Sequence, residues 1–256
     1  MFYITGDTHA KFGRIDDFCR RFNTSKEDVM IILGDVGLNF YLNAQDHLLK
    51  SIVEGFPITI FAIHGNHEER PYIIEGYEEK EWHGGIVYYE PMFPDLLFAK
   101  DGEIYDFDGE KVIVIGGAYS IDKQYRLDNN WPWYESEQPS DEIKEYVEQQ
   151  LEAVKWKVDY VFSHTCPYDY RPTHLFSEHI DQDSVDYSTE KWLQKIETKL
   201  DYKMWYFGHY HDNWRKDKMQ MLFEEIQEFP HKDFKHDVLS RGYDDLFGEE
   251  SKNNRK

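Results

Sequence analysis

The sequence predicts an α/β fold in which a mainly parallel sheet carries helices on both faces. First, six short apolar runs, most of them rich in β-branched and aromatic residues, have the composition of buried strands. Second, stretches with helical periodicity separate several runs, and strand–helix–strand repetition is typical of parallel sheets. Third, the 256 residues are 40% hydrophobic and 17% aromatic, which is enough for one large core. The runs cover residues 2–4, 29–33, 58–63, 112–115, 160–162 and 204–207.

The first two helices are predicted in the gaps between the first three runs. Apolar side chains recur there at helical spacing, once in each gap. Both patterns are amphipathic, so we expect one apolar stripe of each helix to face the sheet. The first stripe consists of Phe12, Ile15, Phe18, Cys19 and Phe22, and the second of Leu48, Leu49, Ile52 and Val53.

Two further helices are predicted later in the chain. Ser140 follows a proline and precedes Asp141 and Glu142, which is the pattern of a capping serine with acidic residues in the first turn. Another helix is expected to begin near Ser188. The expected apolar stripes are Ile143, Val147, Leu151 and Val154 in the first of these helices, and Trp192, Leu193, Ile196 and Leu200 in the second.

Two segments interrupt the alternation of strands and helices. Residues 119–139 are rich in Trp, Tyr, Asn and Pro without a usable period, and are predicted to form an aromatic-rich loop insertion. After Pro230 the chain becomes strongly charged. We therefore predict one domain over residues 1–230, followed by a loosely packed charged extension over 231–256.

The charge balance excludes some classes of partner. The chain has 29 Lys and Arg against 50 Asp and Glu, a formal charge of −21. Because affinity for a phosphate backbone comes from basic side chains, a long nucleic-acid duplex is not an expected partner. The same charge opposes binding to anionic membranes, and no apolar run approaches the roughly 20 residues of a membrane span.

Cysteine usage and the first residues indicate the compartment. Cys19 and Cys166 are the only cysteines, too few for the disulfide framework of a secreted domain. The sequence begins without the basic region and long apolar stretch of a signal peptide. We expect a cytoplasmic protein, and the sequence leaves its oligomeric state open.

Polar side chains suited to metal binding follow five of the six runs, at the point where each run ends. The carboxyl ends of strands form the ligand crevice of open α/β sheets, so these side chains are expected to converge. The segments are Gly6-Asp7-Thr8-His9, Gly34-Asp35, Gly65-Asn66-His67-Glu68, Ser163-His164 and Gly208-His209-Tyr210-His211.

The residue types in these segments favour particular metals. Carboxylates, an amide oxygen and imidazoles, without a thiolate, suit transition metals better than Ca²⁺ or Mg²⁺, which prefer oxygen ligands alone. The number of ligands exceeds what one ion requires. The sequence therefore predicts two divalent transition-metal ions, with Mn as the first choice and Fe, Zn, Ni or Co as alternatives.

In this order, the motifs Gly-Asp-x-His, Gly-Asp, Gly-Asn-His-Glu, a lone His after a strand and Gly-His-x-His resemble those of the calcineurin-like metallophosphoesterases. The match covers about residues 1–212. The resemblance implies a β-sandwich of two mixed sheets flanked by helices, in place of one open sheet, with residues 221–226 contributing to the second sheet. It also points to the varied bacterial and phage-type branch.

The resemblance implies a role for each matching residue. His67 would protonate the leaving oxygen as general acid, and Asp35 would bridge two metals. One metal would be held by Asp7, His9 and His211, and the other by Asn66, His164 and His209.

The implied activity is the hydrolysis of a small phosphorylated substrate, a phosphomonoester or a small phosphodiester, by a metal-bound hydroxide. Two divalent ions leave the centre net positive, so it can capture phosphate despite the acidic surface. The ions would also lower the pKa of bound water towards roughly 7. Arg126, within the 119–139 insertion, is a candidate for gripping phosphate. The competing interpretation of that insertion is a surface loop that packs its own aromatic side chains.

One departure from related motifs narrows the range of expected substrates. Protein Ser/Thr phosphatases of this superfamily carry a second Asp and an Arg after the Gly-Asp motif, where this chain has Leu38 and Asn39. Leu38 cannot orient His67 as that Asp would, so Glu68 or Asn39 is expected to do so. Two other functions stay open: a nuclease acting on short strands, and a non-catalytic metal-binding scaffold.

Two neighbours of the motifs are assigned structural roles. His64 would face away from the ligands if its strand continues, which favours a place in the core or behind the ligands. Cys166 is expected to be a buried neighbour of His164 rather than a ligand or nucleophile.

Overall fold

The computed structural model describes residues 1–230, which form two β-sheets packed face to face with helices against their outer faces. The strands are β1 (Phe2–Thr5), β2 (Val29–Ile32), β3 (Thr59–Ala62), β4 (Glu78–Trp82), β5 (Gly85–Glu90), β6 (Phe93–Ala99), β7 (Ile104–Phe107), β8 (Glu110–Ile115), β9 (Tyr160–Ser163), β10 (Met204–Phe207), β11 (Trp214–Lys216), β12 (Met219–Met221) and β13 (Gln227–Phe229). The α-helices are α1 (Gly13–Phe22), α2 (Ala44–Glu54), α3 (Lys123–Asp128), α4 (Asp141–Ala153) and α5 (Ser188–Lys199).

Both sheets are mixed. The first has the order β13-β1-β2-β3-β6-β5-β4, in which β1, β2, β3 and β6 run parallel and the remaining pairings are antiparallel. The second has the order β11-β12-β10-β9-β8-β7, with β12, β10, β9 and β8 parallel. The sandwich implied by the resemblance is therefore confirmed, and the single open sheet expected from alternation alone is wrong.

Three apolar layers hold the sandwich together. The central layer lies between the sheets, where Phe61 and Phe107 of opposite sheets make an edge-to-face ring contact. A second layer packs α1 and α2 against the first sheet, and a third packs α4 and α5 against the second sheet. Helices thus cover the outer face of each sheet, as the amphipathic patterns predict, although Phe22 and Val154 of the predicted stripes are exposed.

The start of α4 follows from its capping residue. The Ser140 hydroxyl accepts a hydrogen bond from the Ile143 backbone N–H, and Asp141 and Glu142 occupy the first turn. A side-chain acceptor there satisfies an N–H that the helix itself leaves unpaired, which stabilises a helix by about 1 kcal/mol. The predicted start of this helix is confirmed.

The predicted apolar stripe of α2 is partly wrong. Leu48 and Ile52 are exposed, whereas Asp46 and Lys50 are buried together with Val53. The polar pair turns inward because each finds partners there: Asp46 accepts backbone N–H groups at 2.7 and 2.8 Å, and Lys50 lies 2.5 Å from Glu90. Buried polar groups need such partners, and here they set the rotation of the helix.

Two segment predictions also need correction. Residues 221–226 do not form a second-sheet strand: β12 ends at Met221, and the next strand, β13, pairs with β1 in the first sheet. The 119–139 insertion is not entirely irregular, since it contains α3 and a short 3₁₀ turn, Glu135–Glu137. The insertion is held by side-chain contacts, including one from the Tyr134 hydroxyl to the Phe40 carbonyl at 2.6 Å.

Within residues 1–230, none of the helices combines the length and the apolar character that crossing a bilayer would require. The predicted charged extension over 231–256 lies outside the described residues.

Candidate metal centre

The five predicted segments meet at one edge of the sandwich, where the carboxyl ends of parallel strands from both sheets come together. A hydrogen bond of 2.8 Å from His164 Nδ1 to the Leu33 carbonyl joins the end of β9 to the end of β2. Another, from the His209 backbone N–H to Asp7 Oδ1 at 3.0 Å, joins the end of β10 to the end of β1. Residues more than 200 positions apart thus become neighbours.

The first cluster of candidate ligands consists of Asp7, His9 and His211. Their ligand atoms lie within 4.8 Å of one another. The Nε2 atoms of His9 and His211 are 2.8 Å apart, and His211 Nε2 is 3.2 Å from Asp7 Oδ2. Three ligand atoms this close together could share one bound cation.

Asp35 lies between the other candidate ligands. Its Oδ2 atom is 3.8 Å from His9 Nε2 and 3.6 Å from His164 Nε2. It therefore takes part in two further clusters that could hold an ion, His9–Asp35–His67 and Asp7–Asp35–His164. The three clusters share members, so the arrangement is one continuous centre.

Asn66 and His164 form the opposite end of this centre. Asn66 Oδ1 is 2.8 Å from His164 Nε2, while its Nδ2 donates to the Ser120 hydroxyl at 2.9 Å. His209 packs its ring against His164, with ring centroids 4.9 Å apart, but belongs to none of the three ligand clusters. All seven predicted ligands are thus brought together, with His209 slightly apart.

The backbone around the centre is held in an uncommon conformation. His9, Asp35, His209 and His211 all have positive φ angles, between 44° and 70°. Such left-handed angles are unfavourable for residues with a Cβ and persist where surrounding structure fixes them, commonly at functional sites. Four of seven candidate ligands share this feature, which favours a functional interpretation of the edge.

Two positions require glycine because the backbone there packs closely against a carboxylate. A Cβ at Gly65 would collide with the Asp35 carboxylate, and a Cβ at Gly208 would collide with the Asp7 carboxylate. Each glycine precedes a candidate ligand, so the backbone packs directly against the carboxylate of another segment. The glycines in these motifs therefore serve the geometry of the centre.

Electrostatics prepares part of the centre to bind a cation, whereas the hydrogen bond with Asp7 raises the pKa of His211. Burial would raise the pKa of Asp35, but the nearby imidazoles, that of His164 first, hold it below its ordinary value. Burial lowers the pKa of His209 to about 3, so its imidazole is neutral near neutral pH. Ionised carboxylates and neutral imidazoles are the protonation states in which these groups bind metals.

The hydrogen-bonding contacts of His164 and Asn66 are compatible with metal binding. His164 Nδ1 faces the Leu33 carbonyl and His164 Nε2 faces the Asn66 carbonyl oxygen, each at 2.8 Å. In the form that donates through Nδ1, Nε2 carries a lone pair, and this lone pair and the Asn66 oxygen are then two ligand atoms for one cation. In addition, Asp7 Oδ2 is buried and faces the imidazoles of His9 and His211, with Nε2 atoms at 3.7 and 3.2 Å.

His67 and Arg126 lie together beside the ligands. Arg126 Nη2 contacts both ring nitrogens of His67, and Arg126 Nε pairs with Asp122 at 2.9 Å. The arginine is 1% exposed, and its Nη1 has no hydrogen-bond partner in the described chain. Burial lowers the pKa of His67, and the Arg126 cation adds to that effect. The predicted acid and the predicted phosphate-binding residue are thus in contact.

The residues expected to orient His67 lie elsewhere. Glu68 accepts backbone N–H groups from Gly65 at 2.8 Å and Gly37 at 3.3 Å, and Asn39 accepts the Tyr77 hydroxyl at 2.8 Å. Within residues 1–230, neither makes a hydrogen bond to the His67 ring. That prediction is wrong, because these side chains stabilise the loops around the centre, and Arg126 contacts the ring instead.

Sequence reasoning missed two supporting residues. Arg14 donates through Nη2 to the carbonyls of Gly6 and Asp7, at 2.9 and 2.8 Å, and also to that of Phe223. Ser120 holds the amide of Asn66. Neither has a motif of its own, since their partners come from distant parts of the chain. The neighbours of the motifs lie as expected, with His64 and Cys166 both buried.

The comparison with known protein families agrees with this geometry. A family model described as calcineurin-like phosphoesterase matches residues 1–213. No curated protein matches significantly.

Among solved structures, TT1561 of Thermus thermophilus is similar at 9% identity and a TM-score of 0.45, with 87% of each chain covered. The phosphopantetheinyl hydrolase PptH of Mycobacterium tuberculosis is similar at 14% identity and a TM-score of 0.36, also with 87% of each chain covered. Both scores are too low to support an argument about function. On the family match, the chain belongs to the calcineurin-like phosphoesterase family.

Proposed function

We propose that this protein is a metal-dependent hydrolase of small phosphate esters, either phosphomonoesters or small phosphodiesters. The observation that carries the proposal is the set of three overlapping ligand clusters, which share Asp7, His9 and Asp35. One isolated cluster of acidic groups and histidines would be weak evidence. The overlap of the clusters and the burial of the Asp7 and Asp35 carboxylates together favour two adjacent cations.

The ligands would divide between two cations, and Asp35 would be shared. Bound divalent cations would supply Lewis acidity towards phosphoryl oxygens and lower the pKa of water, with Mn the first choice and Fe, Zn, Ni or Co as alternatives. The proposed ligands are Asp7, His9 and His211 for one ion, and Asn66, His164 and His209 for the other.

His67 is proposed as the general acid. It stands beside Asp35, with Nε2 3.9 Å from Oδ2, but its side chain remains partly exposed. That position allows its imidazole to reach the leaving oxygen of a bound ester, where proton donation contributes about 10²–10⁴ in rate.

Arg126 is proposed to bind the phosphoryl group. Its guanidinium is fixed by Asp122 and contacts His67, so its charge is directed at the same region as the acid. Its buried Nη1 has no partner in the described chain, so one donor of the guanidinium is not used by the fold. Arg is well suited to phosphate contacts because its planar fork matches phosphate geometry.

The net charge of −21 favours small substrates over polymers. A long polyanion would approach an acidic surface, whereas a small ester needs only the local positive charge of a loaded centre.

The test uses protein stripped with a chelator and reloaded with one metal at a time, starting with Mn²⁺. Hydrolysis of p-nitrophenyl phosphate and of bis-p-nitrophenyl phosphate would then separate monoesterase from diesterase activity. We expect metal-dependent turnover of at least one substrate. Protein that binds two metal ions per chain and yet hydrolyses neither, nor any of a panel of nucleotides and sugar phosphates, would favour the scaffold alternative.

A further inference from the structure

Arg14, in the first turn of α1, reaches the edge of the sandwich at the point where β1 ends. Its Nη2 atom donates to the carbonyls of Gly6 and Asp7 at 2.9 and 2.8 Å. These carbonyls belong to the two peptide units on either side of the Asp7 Cα atom. Because peptide units are planar, holding both of them fixes the φ and ψ angles of Asp7. Arg14 therefore sets the direction in which the Asp7 carboxylate leaves the backbone.

The same atom of Arg14 also holds a second segment, which follows β12. Nη2 donates to the Phe223 carbonyl at 3.0 Å, and this carbonyl also accepts the Gly6 backbone N–H and the Thr5 hydroxyl, each at 3.1 Å. A Cβ at Gly6 would collide with the Leu222 carbonyl, so the two segments are in direct contact. The donor is a charged group, and hydrogen bonds from charged groups are the stronger kind. Arg14 thus fastens the end of β1 to the segment after β12.

The second segment carries a ring that packs on a candidate ligand. The Phe223 ring lies against the imidazole of His211, with centroids 4.9 Å apart and the two planes 30° from parallel. The backbone N–H of Phe223 donates to the side chain of Asn213, two residues after His211, at 2.9 Å. The His211 side chain is 48% exposed, so burial alone does not fix its ring. The Phe223 ring limits the orientations that remain.

Both ends of this path lead to the same proposed ion. Asp7 and His211 belong to one ligand cluster, together with His9. By contrast, the amide of Asn66, a proposed ligand of the other ion, is held by the Ser120 hydroxyl at 2.9 Å. The two ends of the centre are therefore fastened by separate contacts.

From these contacts, we propose that Arg14 is a positioning residue for one metal ion of the two, the ion assigned to Asp7, His9 and His211. A guanidinium has no lone pair to offer a metal, so Arg14 acts through the Asp7 backbone and the Phe223 ring. This role rests on the proposed function, because it needs the metal centre. Residues that orient ligands typically contribute about 10- to 100-fold to metal affinity. Loss of Arg14 should therefore weaken one ion and spare the other.

The test is a titration of the metal-free full chain with Mn²⁺, followed by calorimetry and by electron paramagnetic resonance. Two adjacent Mn²⁺ ions give a magnetically coupled spectrum, whereas a single bound ion gives an uncoupled one. Arg14→Met keeps most of the apolar stem of the side chain and removes its hydrogen-bond donors. We expect this variant to bind one ion as tightly as wild type, with an uncoupled spectrum, and the second ion about 10- to 100-fold more weakly.

Double variants identify the ion that is weakened. The effects of Arg14→Met and His211→Ala should be less than additive, because both act on the same ion. Asn66→Ala should instead weaken the ion that Arg14→Met leaves tightly bound. Arg20→Met, on the exposed side of the same helix and paired with Asp17 at 2.7 Å, is the matched control. It should bind both ions as wild type does.

Two results would overturn the proposal while leaving the metal centre intact: an Arg14→Met protein that binds both ions as tightly as wild type, and one that weakens both ions equally. Wild-type protein that binds no Mn²⁺ would contradict the metal centre itself. If Arg14→Met does not fold, Phe223→Leu replaces it, because this change keeps the backbone carbonyl and removes the ring. Phe223→Leu should weaken the same ion, and unchanged affinity for both ions would then overturn the proposal.

Discussion

Arg126 contacts the imidazole ring of His67 through its Nη2 atom, although 59 residues separate the two positions. The contact joins an insertion between strands to the segment that follows β3. It brings a fixed cation next to the proposed acid, at the edge of the centre formed by Asp35 and its neighbours. The first two predictions concern the two members of this pair.

Replacing His67 should impair turnover most for substrates with poor leaving groups. His67→Ala should lower kcat by about 10²–10⁴ on an alkyl phosphate, because the departing alkoxide needs a proton. The loss on p-nitrophenyl phosphate should be much smaller, since p-nitrophenolate leaves without protonation. Steady-state kinetics on both substrates checks this, with exposed His174→Ala as the control. Equal losses on the two substrates would contradict the role of general acid.

Replacing Arg126 should weaken substrate binding. Arg126→Ala should lower kcat/KM by about 10- to 100-fold, the usual worth of a hydrogen bond to a charged group. A rise in KM on p-nitrophenyl phosphate would indicate phosphate binding. A fall in kcat confined to alkyl phosphates would indicate that Arg126 acts through His67. Arg21→Ala, on the exposed side of α1, is the matched control. An Arg126→Ala protein as active as wild type would exclude both roles.

A buried carboxyl away from the ligands should give stability a distinct pH dependence. Glu190 is 2% exposed and accepts the Thr165 hydroxyl at 2.9 Å, and burial raises its pKa from 4.5 to about 7. The folded state therefore holds a proton that the unfolded state releases between these two values. Stability is unaffected by this group below pH 4.5 and falls as the pH rises to 7, by about 3 kcal/mol in total.

Glu190→Gln should remove this part of the pH dependence. Urea unfolding at about pH 5 and pH 7.5, with chelator present throughout, gives the free energy of unfolding of both proteins. We expect the wild type to lose more stability than the variant over this range. If the two proteins lose the same amount, Glu190 is ionised in the folded state and the prediction is wrong.

The features that could be predicted from the sequence have signals that are local in the chain or repeated along it. Small residues followed by Asp, His or Asn mark the strand ends, and Ser140 followed by two acidic residues marks the start of α4. Each of these signals lies within a few residues of the feature it predicts. The metal ligands could be found for the same reason, because each segment carries its own motif.

The remainder depends on partners that are distant in sequence. Arg14 has three backbone acceptors, and one of them, at Phe223, lies 209 residues away. The inward turn of Lys50 depends on Glu90, 40 residues away. Periodicity shows that a helix has an apolar side, but such partners decide which side is buried, as α2 demonstrates with its exposed Leu48.

The central claim is that the strand ends hold two cations with Asp35 between them, and metal content tests it most directly. Protein loaded with Mn²⁺ and then desalted should contain two metal ions per chain by elemental analysis. Asp35→Asn should lower metal affinity by more than about 100-fold, because the shared carboxylate charge is lost. Asp141→Asn, whose side chain is 98% exposed on α4, should retain both ions. A wild-type protein that retains no metal, or an Asp35→Asn protein that retains two ions as tightly as wild type, would contradict the account.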